Sequence, residues 1–143
     1  MKAILIEKLK SYIMQNNPDL LISLQNGFSL REYLEDKVQS VEPFITLLLD
    51  QHKPQYVIEE LCMNQLTQDL RPSKYNYLLK ALEEDFLSAY TYFKKNGVLA
   101  YEILNLIEAA QPTFQNYNFN EDNEDDRMLR YEITGIIKAY LSR

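Results

Sequence analysis

The spacing of apolar residues limits the fold of this chain more than any other feature of its sequence. Apolar side chains recur at steps of three and four positions almost throughout, which places them on one face of an α-helix. No stretch alternates apolar and polar residues for long, as a half-buried β-strand does. Helix breakers divide the pattern into segments, so we predict an all-α fold, a compact bundle of about seven helices.

The length of the chain fits one domain, since 143 residues fall within the usual size of a single folding unit. Hydrophobic residues make up 46% of the chain and charged residues 25%, a balance typical of globular proteins. We therefore predict a single helical domain over residues 1–143, built around one core.

Prolines and capping residues predict the helix boundaries in the first part of the chain. The first helix is expected over residues 2–15, and Pro18 can open a short second helix that Asn17 caps. Residues 26–27 are Asn-Gly, which tolerates positive φ, and are expected to end that second helix.

Two serines are expected to cap the helices that follow. Ser29 and Glu32 have the spacing of a capping box, so Ser29→Ala is expected to cost about 1 kcal/mol of stability. Pro43 clashes within a helix interior, which predicts a break between residues 39 and 43 with Ser40 as the next cap.

The longest helix is predicted over residues 74–96. Ser73 is expected to cap its start, and Gly97 is expected to end it in a left-handed conformation. A further helix over residues 98–110 is expected to stop before Pro112, because proline lacks the backbone N–H that continues a helix.

A polar, acidic segment over residues 116–126 precedes the final predicted helix. Its side chains carry the oxygen atoms that bind cations such as Ca²⁺, so a cation site is one alternative for this segment. The segment nevertheless lacks the Gly and the bidentate Glu of an EF-hand loop. Residues 124–126 are acidic and are expected in the first helical turn. Gly135 costs about 1 kcal/mol in a helix interior. We therefore expect a neighbouring helix to approach it closely and Gly135→Leu to be destabilising.

The chain carries few of the side chains that catalysis requires. It contains one His and one Cys, and its three glycines stand alone rather than in a phosphate-binding loop. Cys62 is expected in the core, and His52 on the surface at a helix end. One His and one Cys cannot supply the usual zinc or di-iron ligands. We therefore predict a protein that is not an enzyme and that holds no cofactor or metal.

The net charge and the apolar runs of the chain bear on nucleic-acid binding, membrane insertion and cellular location. A formal net charge of −6 disfavours tight nucleic-acid binding, which relies on Lys and Arg at phosphates. The longest apolar run, residues 44–49, is far shorter than the roughly 20 residues of a membrane-spanning helix. Glu7, Lys8 and Lys10 interrupt the apolar start before a signal peptide can form. A cytoplasmic location is expected, and the single Cys agrees with it.

One short segment combines cations, polar side chains and a predicted helix start. Arg71, Ser73, Lys74, Asn76 and Tyr77 surround the first turn of the longest predicted helix. Free backbone amides and the helix dipole favour anions at such a position. The segment is therefore a candidate surface for a phosphate or an acidic peptide. The alternative is a helix cap with tyrosines that face the core.

Several segments carry a likeness to known sequences: residues 9–12, 17–19, 70–76, 84–86 and 130–141. Together they resemble a family of uncharacterised all-helical bacterial proteins that occur on conjugative mobile elements. That family has no assigned activity or catalytic residues. The resemblance therefore implies an all-α fold and a bacterial setting, and it leaves the function open.

Protein interaction is the function that these features favour. Eleven tyrosines combine apolar area with a hydroxyl group, a combination common at interfaces, so tyrosines on an outer helix face predict a homodimer or a partner-binding groove. The alternative is a nucleic-acid-associated accessory factor of a mobile element, contacting phosphates through Arg71, Lys74 and Lys80. The salt dependence of binding distinguishes the two functions, because contacts with phosphates weaken steeply as the salt concentration rises.

Overall fold

The computed structural model describes residues 1–25 and 30–143. Over these residues all of the regular secondary structure is helical, which confirms the predicted all-α fold. The chain divides into two compact units, residues 1–71 and residues 72–143. Where we expected one core, the described residues form two separate buried clusters, one in each unit. The single domain over residues 1–143 stays a prediction.

The first unit contains five α-helices and one short 3₁₀ helix within its described residues. The helices are α1 (Lys2–Asn16), α2 (Pro18–Gln25), α3 (Leu30–Ser40), α4 (Glu42–Asp50) and α5 (Gln55–Leu66), and the 3₁₀ turn covers Gln68–Leu70. Helix α1 packs against α2, α3 and α5. Its buried face consists of Leu5, Leu9 and Ile13, which recur every four residues.

The second unit is built from four α-helices. These are α6 (Lys74–Asp85), α7 (Leu87–Lys95), α8 (Leu99–Asn116) and α9 (Arg127–Leu141). Helix α8 lies at the centre, since it packs against α6, α7 and α9. The core joins the fully buried side chains of these helices: Leu78, Ala81, Leu82, Ile103, Leu106, Ala110, Phe114, Leu129, Ile133 and Ile137.

The single Cys and the single His of the chain lie where the sequence analysis placed them. Cys62 is 0% exposed in the core of the first unit, and burial raises the pKa of its thiol. His52 is exposed just after α4, with a φ of 58°. Both predictions, a core cysteine and a surface histidine at a helix end, are confirmed.

Several boundaries in the first unit agree with the prediction, but their capping chemistry differs. Pro18 opens α2, and the break between residues 39 and 43 falls at Val41. Ser40 ends α3 rather than capping α4, because its hydroxyl donates back to the Lys37 carbonyl. Asn17 does not cap α2 with its side chain. Its Nδ2 instead donates to the Leu70 carbonyl at 3.2 Å, and its Oδ1 accepts no hydrogen bond from any described residue.

Two predicted features of the same region lie outside the described residues. They are the Asn-Gly end of the second helix at residues 26–27 and the capping box that begins at Ser29.

The longest predicted helix is in fact two helices. The backbone leaves the helical region at Phe86, with φ −135° and ψ 52°, so α6 ends at Asp85 and α7 begins at Leu87. The change of direction lets Phe86 and the half-buried face of α7 both pack against the core of the second unit. Periodicity missed the break because the three-and-four spacing continues across it.

The predicted role of Gly97 as a helix end is confirmed, at the end of α7. Gly97 has a φ of 71°, its N–H donates to the Lys94 carbonyl, and the Val98 N–H donates to the Phe93 carbonyl. This pair of bonds is a Schellman motif, which requires the left-handed conformation that glycine adopts without strain.

Two boundaries around α8 and α9 correct the sequence prediction. Helix α8 continues through Pro112 to Asn116. Pro112 and Glu108 are both exposed, so water can reach the Glu108 carbonyl that the missing N–H leaves without its usual donor. Glu124 and Asp125 precede α9 rather than lying in its first turn. Asp126 is the N-cap, and its carboxylate accepts from the Met128 and Leu129 amides at 2.8 and 3.1 Å.

The close helix contact expected at Gly135 is absent within the part of the chain that the structure describes. Gly135 is exposed, and a Cβ built on it meets no heavy atom within 4 Å. The expectation was wrong because Gly135 lies on the side of α9 that faces away from the buried Leu129, Ile133 and Ile137.

We expect Gly135→Ala to raise the free energy of unfolding by about 1 kcal/mol, because the methyl group meets no clash and alanine has the higher helix propensity. Urea unfolding at low protein concentration measures the change. A loss of stability would show that the site is crowded after all.

We expect Asp126→Ala to lower the free energy of unfolding by about 1 kcal/mol, since it removes both capping hydrogen bonds of α9. Asp125→Ala is the matched control, because Asp125 is also exposed but is not the cap. Equal losses in the two variants would contradict the capping role.

Candidate functional site

The predicted anion surface falls on both sides of the boundary between the two units. Arg71 is the last residue of the first unit, and the other four residues belong to the second. In the first unit, the Arg71 guanidinium donates to the Asn64 carbonyl at 3.0 Å and to the Thr67 carbonyl at 3.4 Å. These carbonyls lie at the C-terminal end of α5, which attracts cations. The guanidinium is therefore used to close that helix.

At the start of α6, the polar side chains serve the helix itself. The Ser73 hydroxyl accepts from the Asn76 amide at 3.0 Å, which confirms Ser73 as the cap. Lys74 Nζ donates to Gln111 Oε1 at 3.0 Å and lies 5.7 Å from the Phe114 ring centroid. The ammonium group thus holds the first turn of α6 to α8.

Tyr77 packs into the protein rather than facing a ligand. Its ring makes edge-on contacts with Phe114 and Phe119, with centroids 5.7 and 5.2 Å apart. The hydroxyl is buried and has no hydrogen-bond partner among the described residues. Burial raises the pKa of this phenol. Among the four predicted residues in the second unit, only Asn76 is exposed. The alternative of a helix cap with an inward tyrosine thus describes this segment better than an anion surface.

A second polar cluster joins α8 to α9. The Tyr140 hydroxyl donates to the Glu102 carboxylate, and Asn105 Nδ2 lies 3.4 Å from the same hydroxyl as a donor. Burial and then the Glu102 carboxylate raise the pKa of Tyr140. The residues are partly buried and joined by hydrogen bonds, so the cluster stabilises the helix pair. No group of three or more metal-ligating side chains occurs in the described ranges.

The acidic segment before α9 uses its side chains for its own turns. Asn123 Oδ1 accepts from the Asn120 amide at 2.8 Å, and Asn120 Oδ1 accepts from the Asp122 amide at 2.7 Å. Asn123 Nδ2 donates to the Tyr117 carbonyl at 2.6 Å. The bond between Asn120 and the Asp122 amide is that of an Asx turn, and the two Asn123 bonds tie the segment to residues before it. The asparagine side chains of the segment are therefore used for local structure.

The first unit has an open groove of 550 Å³ between α1 and α3. Its floor is apolar, and its rim carries Glu7, Lys10, Arg31 and Glu35. Arg31 and Glu35 pair with each other at 3.1 Å. Since the charges of the rim balance, nothing in the groove selects an anion, a cation or a particular partner.

An exposed surface that the sequence analysis did not identify lies on α9. We call Met128, Tyr131, Gly135 and Ala139 the outer stripe of α9. All four are exposed, Met128 at 61% and Tyr131 at 72%. They recur at steps of three and four residues, so they share one face of the helix. Periodicity identified the face of α9 that is buried, but it does not show whether a partner covers the opposite face.

Charged residues border the outer stripe, and their signs differ on its two sides. With about 100° of rotation per residue, Arg127 and Lys138 fall on one side and Glu132 on the other. None of these three forms an ion pair with another described residue, and all three are exposed. The nearby Glu132 carboxylate raises the pKa of Tyr117 to about 12.

Comparison of the chain with protein-family models, with curated proteins and with solved structures found no match. The resemblance to helical proteins of conjugative mobile elements therefore stays a prediction. Over the described residues, none of the helices has both the length and the apolar character that crossing a membrane requires.

We expect Tyr77→Phe to leave the free energy of unfolding unchanged or to raise it, because the variant removes a buried hydroxyl that makes no hydrogen bond with the described residues. Tyr140→Phe is the matched control and is expected to lose about 1 kcal/mol, since it breaks the bond to Glu102. Denaturant unfolding measures both. A loss at Tyr77 equal to that at Tyr140 would reveal a hydrogen-bond partner, such as a bound water or ligand.

Proposed function

We propose that this chain is a non-enzymatic protein-interaction or accessory module, and that it docks through the outer stripe of α9. One observation carries the proposal: two large apolar side chains, Met128 and Tyr131, are more than half exposed side by side on one helix face. The outward faces of globular helices are usually polar, so such a stripe is typical of a surface that a partner covers.

The residue types of the stripe suit an interface. Tyrosine and methionine are enriched in the centres of protein interfaces, where tyrosine buries a large ring while its hydroxyl finds a polar partner. Methionine adapts to an irregular partner surface because it is unbranched. Gly135 and Ala139 leave the backbone of α9 open to close approach. The stripe thus offers two large side chains next to two small ones.

The placement of the reactive residues supports a role without catalysis. Cys62 is fully buried and its thiol pKa is raised, so it is a poor nucleophile. The raised pKa values of Tyr75, Tyr77 and Tyr140 have burial as their largest cause. Burial of this kind accompanies packing as readily as it accompanies a reactive site.

The alternative function, an accessory factor that contacts nucleic-acid phosphates, has less support. Arg71 donates to backbone carbonyls and Lys74 to Gln111, each within its own unit. Lys80 is exposed, but it is a single cation in a chain of net charge −6. Phosphate binding usually needs several convergent cations. The link to conjugative mobile elements remains part of this alternative as a prediction.

We expect the double variant Met128→Ala/Tyr131→Ala to lose at least about tenfold in the capture of protein partners, because hot-spot side chains commonly contribute 2 kcal/mol or more. Tyr92→Ala/Tyr101→Ala is the matched control, since both tyrosines are 64% exposed but lie on α7 and α8. Tagged protein is expressed in the native host, captured with and without nuclease, and the retained polypeptides are identified and quantified.

Equal capture by the two double variants would refute the outer stripe as the docking surface. Retention of nucleic acid that high salt releases, together with its loss in Arg71→Ala/Lys74→Ala, would favour the alternative function instead.

A further inference from the structure

We infer that α7 is a strap that opens by itself: it leaves the second unit as one segment while α6, α8 and α9 stay folded together. This is a property of the second unit and does not depend on the outer stripe of α9. Three features of α7 carry it, namely the burial of its side chains, the contacts of those side chains, and the backbone at the two ends of the helix.

The buried side chains of the second unit come from three of its four helices. Each of α6, α8 and α9 contributes at least three of them to the core. Every residue of α7 is described, and none of its side chains is buried. Ala89, Tyr90 and Phe93 are half-buried against the core, and the other six residues of the helix are exposed. Opening of α7 therefore takes no buried side chain out of the core.

Polar contacts join the other three helices to one another. Arg130 of α9 pairs with Glu84 of α6 at 2.9 Å, and the Tyr140 hydroxyl of α9 donates to Glu102 of α8. Lys74 holds the first turn of α6 to α8. Each of these helices also packs directly against the other two. Thus α6, α8 and α9 form a three-helix bundle whose contacts do not involve α7.

The side chains of α7 interact with one another instead. Lys94 Nζ lies 5.8 Å from the Tyr90 ring centroid, and the ring centroids of Tyr92 and Phe93 are 6.1 Å apart. Among the described residues, no side chain of α7 forms a hydrogen bond, an ion pair or a ring contact with another helix. Helix α7 is thus held to α6 and α8 by the apolar contacts of its half-buried side chains.

The backbone leaves the helical region at both ends of α7. Phe86 precedes the helix with φ −135° and ψ 52°, and α7 begins without a side-chain cap. Gly97 follows it with a φ of 71°, and a Cβ built on Gly97 meets no heavy atom within 4 Å. The helical hydrogen bonds of α6 and α8 therefore do not continue through α7, so breaking those of α7 leaves them in place.

The length of α7 determines what happens when it opens. It has nine residues, and isolated helices shorter than about 12 residues are marginal in water because their nucleation is costly. Opening therefore unfolds α7 and frees its backbone amides to exchange with water. It also exposes the apolar side chains of α6 and α8 that α7 covers. Burial of these apolar surfaces favours the closed state.

The test is hydrogen exchange of the whole wild-type chain, followed by mass spectrometry of fragments that separate the four helices of the second unit. Below the urea concentration of unfolding, the amides of α7 are expected to exchange at least about tenfold faster than those of α8 and α9, each relative to its intrinsic rate. Their exchange is also expected to depend less on urea, because opening α7 exposes less surface than unfolding the unit does.

Two substitutions distinguish opening of α7 from unfolding of the whole unit. Phe93→Ala removes apolar contacts of α7, so it is expected to speed exchange of the α7 amides at least about tenfold. Ile133→Val removes one methyl group from the core that α6, α8 and α9 share, and those contacts persist when α7 opens. Ile133→Val is therefore expected to speed exchange in α8 and α9 several-fold and to leave exchange in α7 unchanged.

Tyr92→Ala is the matched control for Phe93→Ala. Tyr92 is an aromatic residue of the same helix, but it is 64% exposed and does not pack against the core. Tyr92→Ala is therefore expected to change the exchange of the α7 amides far less than Phe93→Ala does. Circular dichroism before exchange shows whether each variant is folded.

Three results would overturn the inference: wild-type α7 amides that are as well protected as those of α8 and α9, an Ile133→Val variant that speeds exchange equally in all of these helices, or equal effects of Phe93→Ala and Tyr92→Ala. The first two would show that the second unit unfolds as one. The wild-type comparison requires no variant, so it decides the inference even if Phe93→Ala does not fold.

Discussion

The burial of Leu129, Ile133 and Ile137 fixes the rotation of α9 about its own axis, and the surface of the second unit depends on that rotation. These side chains are fully buried in the core that α6, α8 and α9 share. An amphipathic helix gains most of its stability from such packing rather than from its own propensity. Once this face is buried, the opposite face, with Met128 and Tyr131, has to point away from the core.

Several polar residues close helix ends. Ser73 and Asp126 cap α6 and α9, and Arg71 closes the C-terminal end of α5 through two carbonyls. A helix end leaves backbone groups without partners, and these groups compete with any ligand for nearby cations and hydroxyls. In this protein, Arg71 and Ser73, which the sequence analysis assigned to a candidate anion surface, form hydrogen bonds at helix ends. The exposed apolar stripe of α9 is not used in this way, so it remains available to a partner.

The local chemistry of the chain was predictable where one residue decides it. Pro18 opens a helix because its ring fixes φ, Gly97 ends one because it tolerates positive φ, and the Ser73 hydroxyl caps one. The break at Phe86 was not predictable, since no residue there forbids a helix and the apolar spacing continues through it. Likewise, Pro112 is tolerated within α8 because it lies on the exposed side, and exposure is a property of the packing.

The sequence by itself determined the all-α class, the inert core position of Cys62 and several helix ends, because each follows from periodicity or from the stereochemistry of single residues. Only the tertiary structure decided that two cores form rather than one, that Lys74 and Tyr77 turn inward, and that the stripe through Gly135 stays exposed. The physical reason is that periodicity identifies which residues share a helix face, whereas the partner elements that compete for burial decide which face is covered.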